Sequence, residues 1–99
     1  MLLIRDIFHC KPGKVRPMVD KFKAMRKLPK PKGFGNVRVL TDLSSERFWT
    51  VVTEMEVESL EAFMSMDENS AEMKEMGKIM EGYHELVVSG RREIFTIEG

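Results

Sequence analysis

LLIRDIFHCKPGKVRPMVDKFKAMRKL, residues 2–28, changes period at its middle, and that change decides the fold. From Leu2 to Cys10 the side chains alternate. Leu2, Ile4, Asp6, Phe8 and Cys10 fall on one face of an expected strand, and Leu3, Arg5, Ile7 and His9 on the other. Lys11-Pro12-Gly13 is a break. From Lys14 onward Val15, Met18, Val19, Phe22 and Met25 recur at helical spacing. Pro17 falls in the first turn, where its missing N–H has no helical partner to lose, and Leu28-Pro29 ends the pattern. The stretch predicts a strand, a tight turn and a helix with a solvated basic face.

Outward from this unit, Pro29 to Asn36 is a loop by composition, Val37 to Thr41 a short second strand and Asp42 to Glu46 a turn. Phe48 to Val57, rich in Val, Thr and aromatic residues, is a third strand that pairs with the second as a hairpin. Ser59 is the N-cap of a helix begun by Leu60, Phe63 and Met64, with Glu61 in its first turn. Asp67-Glu68-Asn69 interrupts that helix, and Ser70 caps a second stretch carrying Met73, Met76, Met80, Tyr83 and Val87, which Ser89-Gly90 closes. Arg91 to Glu98 alternates as a last strand.

The order is β-α-β-β-α-β, a ferredoxin-like α+β fold expected to occupy residues 1–99 as one domain. Right-handed crossovers put both helices on one face of a four-stranded antiparallel sheet, with the first and third strands central. The opposite face carries Leu3, Ile7 and Val52, too apolar for bare exposure, so a second copy is expected to cover it.

The composition fits such a fold: 99 residues, 42% hydrophobic and 32% charged, fill one modest core. No run approaches the roughly 20 apolar residues that span a bilayer, so no membrane association is expected. Cys10 is the only cysteine, which fits a reducing, cytoplasmic location. Zero net charge hides a segregation. Residues 1–50 hold twelve Lys/Arg against four Asp/Glu and residues 51–99 hold four against twelve, so the halves carry +8 and −8. Side by side, they cancel most of the field that the basic stretch Lys11 to Lys32 would offer a phosphate backbone, and nucleic acid is not expected as a partner.

Four segments carry a resemblance to a known superfamily. The strand ending in Lys11-Pro12-Gly13, the helix with Phe22, the passage Val57-Glu58-Ser59-Leu60-Glu61-Ala62-Phe63 and the closing Gly90-Arg91-Arg92-Glu93-Ile94-Phe95 resemble the dimeric α+β barrel proteins over nearly the whole chain. The Lys-Pro-Gly turn is similar to the NIPSNAP-type branch, and the passage around Ser59 to the antibiotic-biosynthesis-monooxygenase branch. The resemblance implies a homodimer, paired through the sheet faces, with an apolar pocket between sheet and helices in each subunit. The activities it implies range from cofactor-independent oxygenation of quinol-like substrates through isomerisation to haem degradation, and fold analogy cannot choose among them. The haem-degrading members carry Asn on strand one, Trp at the end of strand three and His on the next helix. Asp6 and Val57 stand at the first two positions here, and no His occurs between Ser59 and Gly82.

Asp6 is the sharpest polar candidate, because a carboxylate between Ile4 and Phe8 on an apolar face needs a reason. It reads either as a proton acceptor for a phenolic or enolic substrate, or as a structural carboxylate paired with an arginine or a backbone amide. His84 and Tyr83, near the end of the second helical stretch, read as groups that polarise a substrate oxygen, or as an exposed helix terminus. Trp49, Phe8, Thr53, Met76 and Met80 are expected to hold a flat aromatic ligand, with core packing as the other reading. His9 lies on the opposite face, toward the expected dimer contact, and Arg5 with Glu54 forms an expected charge pair there. With no glycine-rich phosphate loop, no cysteine pair and two widely separated histidines, no metal or cofactor is expected. Two functions stay open: a cofactor-independent monooxygenase or isomerase acting on a small aromatic or quinol-like molecule, and a noncatalytic small-ligand-binding or assembly protein of the same fold.

Overall fold

The computed structural model describes residues 1–65 and 70–99. Its elements run β1 (Leu2–Cys10), α1 (Val15–Arg26), β2 (Phe34–Thr41), β3 (Thr50–Val57), α2 (Leu60–Met64), α3 (Ala71–Ile79), a 3-10 turn (Tyr83–Glu85) and β4 (Val87–Thr96). The sheet is antiparallel throughout, in the order β2-β3-β1-β4, so the first and third strands are central. This is the α+β, ferredoxin-like arrangement.

The break between β1 and α1 is built as the residues require. Gly13 takes a positive φ of 77°, and the Lys14 N–H donates to the Lys11 carbonyl at 3.0 Å. Met18, Val19 and Phe22 of α1 are buried against Val51 of β3 and Cys10 of β1, with Met18 and Val51 fully excluded from solvent. Lys23 and Arg26 occupy the last turn of α1, where cations meet the negative end of the helix. The two serine caps form: Ser59 Oγ accepts from the Ala62 N–H at 3.1 Å and Ser70 Oγ from the Met73 N–H at 3.2 Å. Basic α1 lies beside α3, and Lys21 Nζ donates to the carbonyls of Ile79 (3.1 Å) and Glu81 (2.8 Å).

Four boundaries differ from the sequence reading. β2 starts at Phe34 rather than Val37, because its register shifts between those residues and carries Gly35 across the Glu56 backbone. β3 starts at Thr50 rather than Phe48. Trp49 has a φ of 64°, left-handed and costly for a residue with a Cβ, and its carbonyl accepts the Cys10 N–H at 2.8 Å. The second helical stretch ends at Ile79 rather than running toward Val87: Lys21 takes the carbonyl of Ile79 and, just beyond the helix, that of Glu81, and Gly82 (φ 81°) reverses the chain. β4 consequently begins at Val87, four residues before Arg91, and Ser89-Gly90 lies inside it. The interruption read at Asp67-Glu68-Asn69 lies outside the described residues.

The core is concentrated toward the Cys10 end of β1, where Phe8 and Phe22 stack with ring centres 5.3 Å apart. Toward the other end the cover is thinner. α2 is five residues long, and neither it nor the described part of α3 buries a residue completely. That difference leaves space over the middle of the sheet. Among the described residues no helix is long and apolar enough to cross a membrane.

Candidate functional site

Asp6 sits at the centre of the helix-covered face of β1, paired in register with Thr53 on β3 and Arg92 on β4. Arg92 grips its carboxylate side-on, Nε to Oδ1 at 2.7 Å and Nη2 to Oδ2 at 3.1 Å. The guanidinium also lies over the Phe63 ring, 5.1 Å from its centre. The hydrogen bond with Asp6 raises the Arg92 pKa further above its ordinary value, against the opposing effect of burial. Of the two structural partners considered for Asp6, the arginine is the one present.

The ion pair borders two hollows. On one side lies a groove of about 540 Å³, wide open to solvent and lined by Phe8, Tyr83, His84 and Gly90. On the other, between sheet and helices, is a cavity of about 190 Å³, more enclosed and mostly apolar, formed by Phe22, Met25, Phe34, Met55, Phe63 and Met76 with Thr53. The cavity is the better candidate for specific binding, because enclosure by apolar side chains removes more ligand surface from water than a shallow groove does.

The residues expected at one site are thus divided. Asp6 reaches both hollows; Phe8, Tyr83 and His84 line the groove, and Thr53 and Met76 the cavity. Tyr83 and His84 stack with ring centres 4.0 Å apart, and Tyr83 meets the Phe8 ring edge-on at 6.4 Å. Met80 packs against the core and lines neither hollow. Trp49 is a correction: it lies outside both, 44% exposed, because its left-handed backbone interrupts the strand alternation that would have turned it toward the helices. Sequence reasoning missed Arg92 as the partner of Asp6, and Phe34 and Phe63 as cavity walls, their rings 6.4 Å apart. Arg92 was signalled only by its phase, two residues before Ile94 on the same face of β4.

On the opposite sheet face Glu54 is buried between two arginines, Arg38, which donates to Oε1, and Arg5, whose Nε lies 3.5 Å from Oε2. The expected Arg5–Glu54 pair is therefore present within one chain. His9 is on this face too, its Nδ1 3.3 Å from Thr50 Oγ1. Its pKa is lowered by burial first and by Arg47 and Arg91 next.

No protein family and no curated protein matches the chain by sequence. Solved structures do match its fold. A protein provisionally described as an antibiotic biosynthesis monooxygenase from Nitrosomonas europaea superposes with a TM-score of 0.73 at 9% identity, over 100% of both chains. A dimeric protein of unknown function and ferredoxin-like fold from Bacteroides fragilis gives 0.68 at 16% identity, over 97% of this chain and 96% of its own. An uncharacterized NIPSNAP-like domain protein from Burkholderia xenovorans gives 0.67 at 16% identity, over 99% and 85%. The likeness spans the whole chain and shows that it has the ferredoxin-like α+β fold shared by the monooxygenase-like and NIPSNAP-like proteins.

Proposed function

We propose that the protein binds a small aromatic molecule in the sheet–helix cavity and acts there as a ligand-binding protein rather than a catalyst. The observation that carries this reading is the side-on Arg92–Asp6 pair at the wall of an apolar cavity. A carboxylate with both oxygens engaged by a guanidinium fits the structural role considered for Asp6, and the pair still offers a ligand one polar edge. Size supports a single ring, since an apolar cavity of about 150 Å³ accepts benzene. The pairing of two copies through the open sheet face belongs to this proposal. Leu3, Ile7, Leu40, Val52 and Phe95 share that face by register, and the B. fragilis neighbour is described as dimeric.

The test is fluorine NMR titration of the full chain with 4-fluorophenol, repeated on Thr53→Phe, which adds a ring where the ligand would sit. Saturable binding lost in Thr53→Phe, with the circular dichroism unchanged, supports the proposal. No binding, or binding indifferent to the substitution, overturns it.

A second reading, a cofactor-independent monooxygenase or isomerase, is favoured by one observation: Asp6, Tyr83 and His84 line the same open groove. It requires turnover of a phenol or quinol, with oxygen uptake for the oxygenase, that disappears in Asp6→Asn.

A further inference from the structure

The charge around the sheet–helix cavity is lopsided. Arg26 from the last turn of α1, Lys30 from the loop that follows and Arg92 from β4 all line it, and among the described lining residues they face one carboxylate, Asp6. Arg92 and Asp6 are committed to each other through two hydrogen bonds. What remains is a pair of exposed cations, Arg26 and Lys30, beside an apolar interior. Lys30 lies between Pro29 and Pro31, whose fixed φ angles restrict the backbone that carries it. That backbone has less ordering left to do on binding.

We infer that the ligand is an anion, specifically a single-ring aromatic carboxylate, its ring among Phe22, Phe34 and Phe63 and its carboxylate toward Arg26 and Lys30. This rests on the proposal that the cavity binds a small aromatic molecule. A carboxylate fits better than a phenol because it is fully ionised at neutral pH, whereas an ordinary phenol is not. Such an ion carries its apolar ring and its charge at opposite ends, as the cavity carries its apolar walls and, among the described lining residues, two cations not engaged by Asp6. The Arg92–Asp6 pair, neutral as a unit, neither attracts nor repels it strongly.

The experiment compares 4-fluorobenzoate with its uncharged counterpart 4-fluorobenzamide by fluorine NMR, on the wild-type chain and on Arg26→Gln/Lys30→Gln. Both substituted residues are exposed, and circular dichroism verifies the fold. At low salt the benzoate should bind about tenfold more tightly than the benzamide, an advantage that shrinks with added salt and disappears in the double variant. The benzamide affinity should fall by much less than the benzoate affinity in that variant. Equal affinities, or a preference that survives loss of both cations, overturn the anion inference while leaving the binding site itself intact. Failure of both probes to bind overturns the binding proposal and this inference with it.

Discussion

Asp6 and Arg92, 86 residues apart in the chain, are register partners on β1 and β4 and bond through both carboxylate oxygens. The pair explains how an acid can occupy the apolar face of a central strand: its charge is answered by the neighbouring strand, and the guanidinium is held in turn by Phe63. A double-mutant cycle with Asp6→Asn and Arg92→Gln, read by urea denaturation, should give a coupling of about 1 kcal/mol. The Arg92 side chain is 51% exposed, so water screens the pair and the larger penalty of breaking a fully buried one does not apply.

Gly90 is a second strand position with a packing reason. A Cβ there would stand 3.2 Å from Cδ1 of Phe8, the ring that stacks on Phe22 and meets Tyr83. Gly90→Ala should cost about 1 kcal/mol, seen as a lower midpoint in thermal unfolding, because the ring must shift within a packed cluster. An unchanged midpoint would mean that the groove end of the sheet yields freely.

Local pattern made much of this fold legible and tertiary hydrogen bonding hid the rest. β1 was readable to the residue because its run of apolar residues begins at Leu2 and Lys11-Pro12-Gly13 stops it; the caps Ser59 and Ser70 were readable because a side-chain oxygen does the capping. The end of the second helical stretch was not. Lys21, about sixty residues upstream, takes the carbonyls of Ile79 and Glu81, and no local period reports that. Gly90 was read as a terminator, although it lies in the strand and makes room for Phe8. In the candidate site, Asp6 stood out as a polar residue on an apolar face. Its partner did not, because the alignment of Arg92 with Asp6 depends on a register shift between His9 and Cys10.

Trp49 gives that difference a direct test. Its φ of 64° is held by the bond from the Cys10 N–H to its carbonyl, and Thr50 beside it bonds Asp42 and Arg47. Trp49→Gly relieves the left-handed strain, worth about 1 kcal/mol, against the loss of a partly exposed ring. Stability should therefore change little and 4-fluorophenol affinity not at all. A large fall in affinity would return Trp49 to the binding site.

His9 makes stability depend on pH in a stated direction. Its folded pKa is lowered from 6.5, chiefly by burial and then by Arg47 and Arg91, so the unfolded chain binds its proton more readily. Its contribution is complete above 6.5 and is lost as the pH falls from there through the folded value. Unfolding free energy should accordingly decline as the pH is lowered below 6.5, before the carboxylates titrate, and His9→Gln should flatten that slope. A slope that steepens in the variant would contradict the sign.

Phe95 tests how the open sheet face is used. It is 48% exposed on a single chain and pairs in register with Leu3, on the face that also carries Ile7, Val52 and the buried Glu54. Phe95→Asp should cost the isolated fold little, because half of the ring is in water already, yet it places a carboxylate among the apolar residues that a second copy would cover. Sedimentation velocity should show a dimer for the wild type and a monomer for the variant. The sheet–helix cavity lies on the other face, so the variant should keep its affinity for 4-fluorophenol; joint loss of pairing and binding would mean that the partner copy helps to shape the cavity. A wild type that sediments as a monomer would leave Leu3, Leu40 and Phe95 facing water and remove the paired sheets from the proposal.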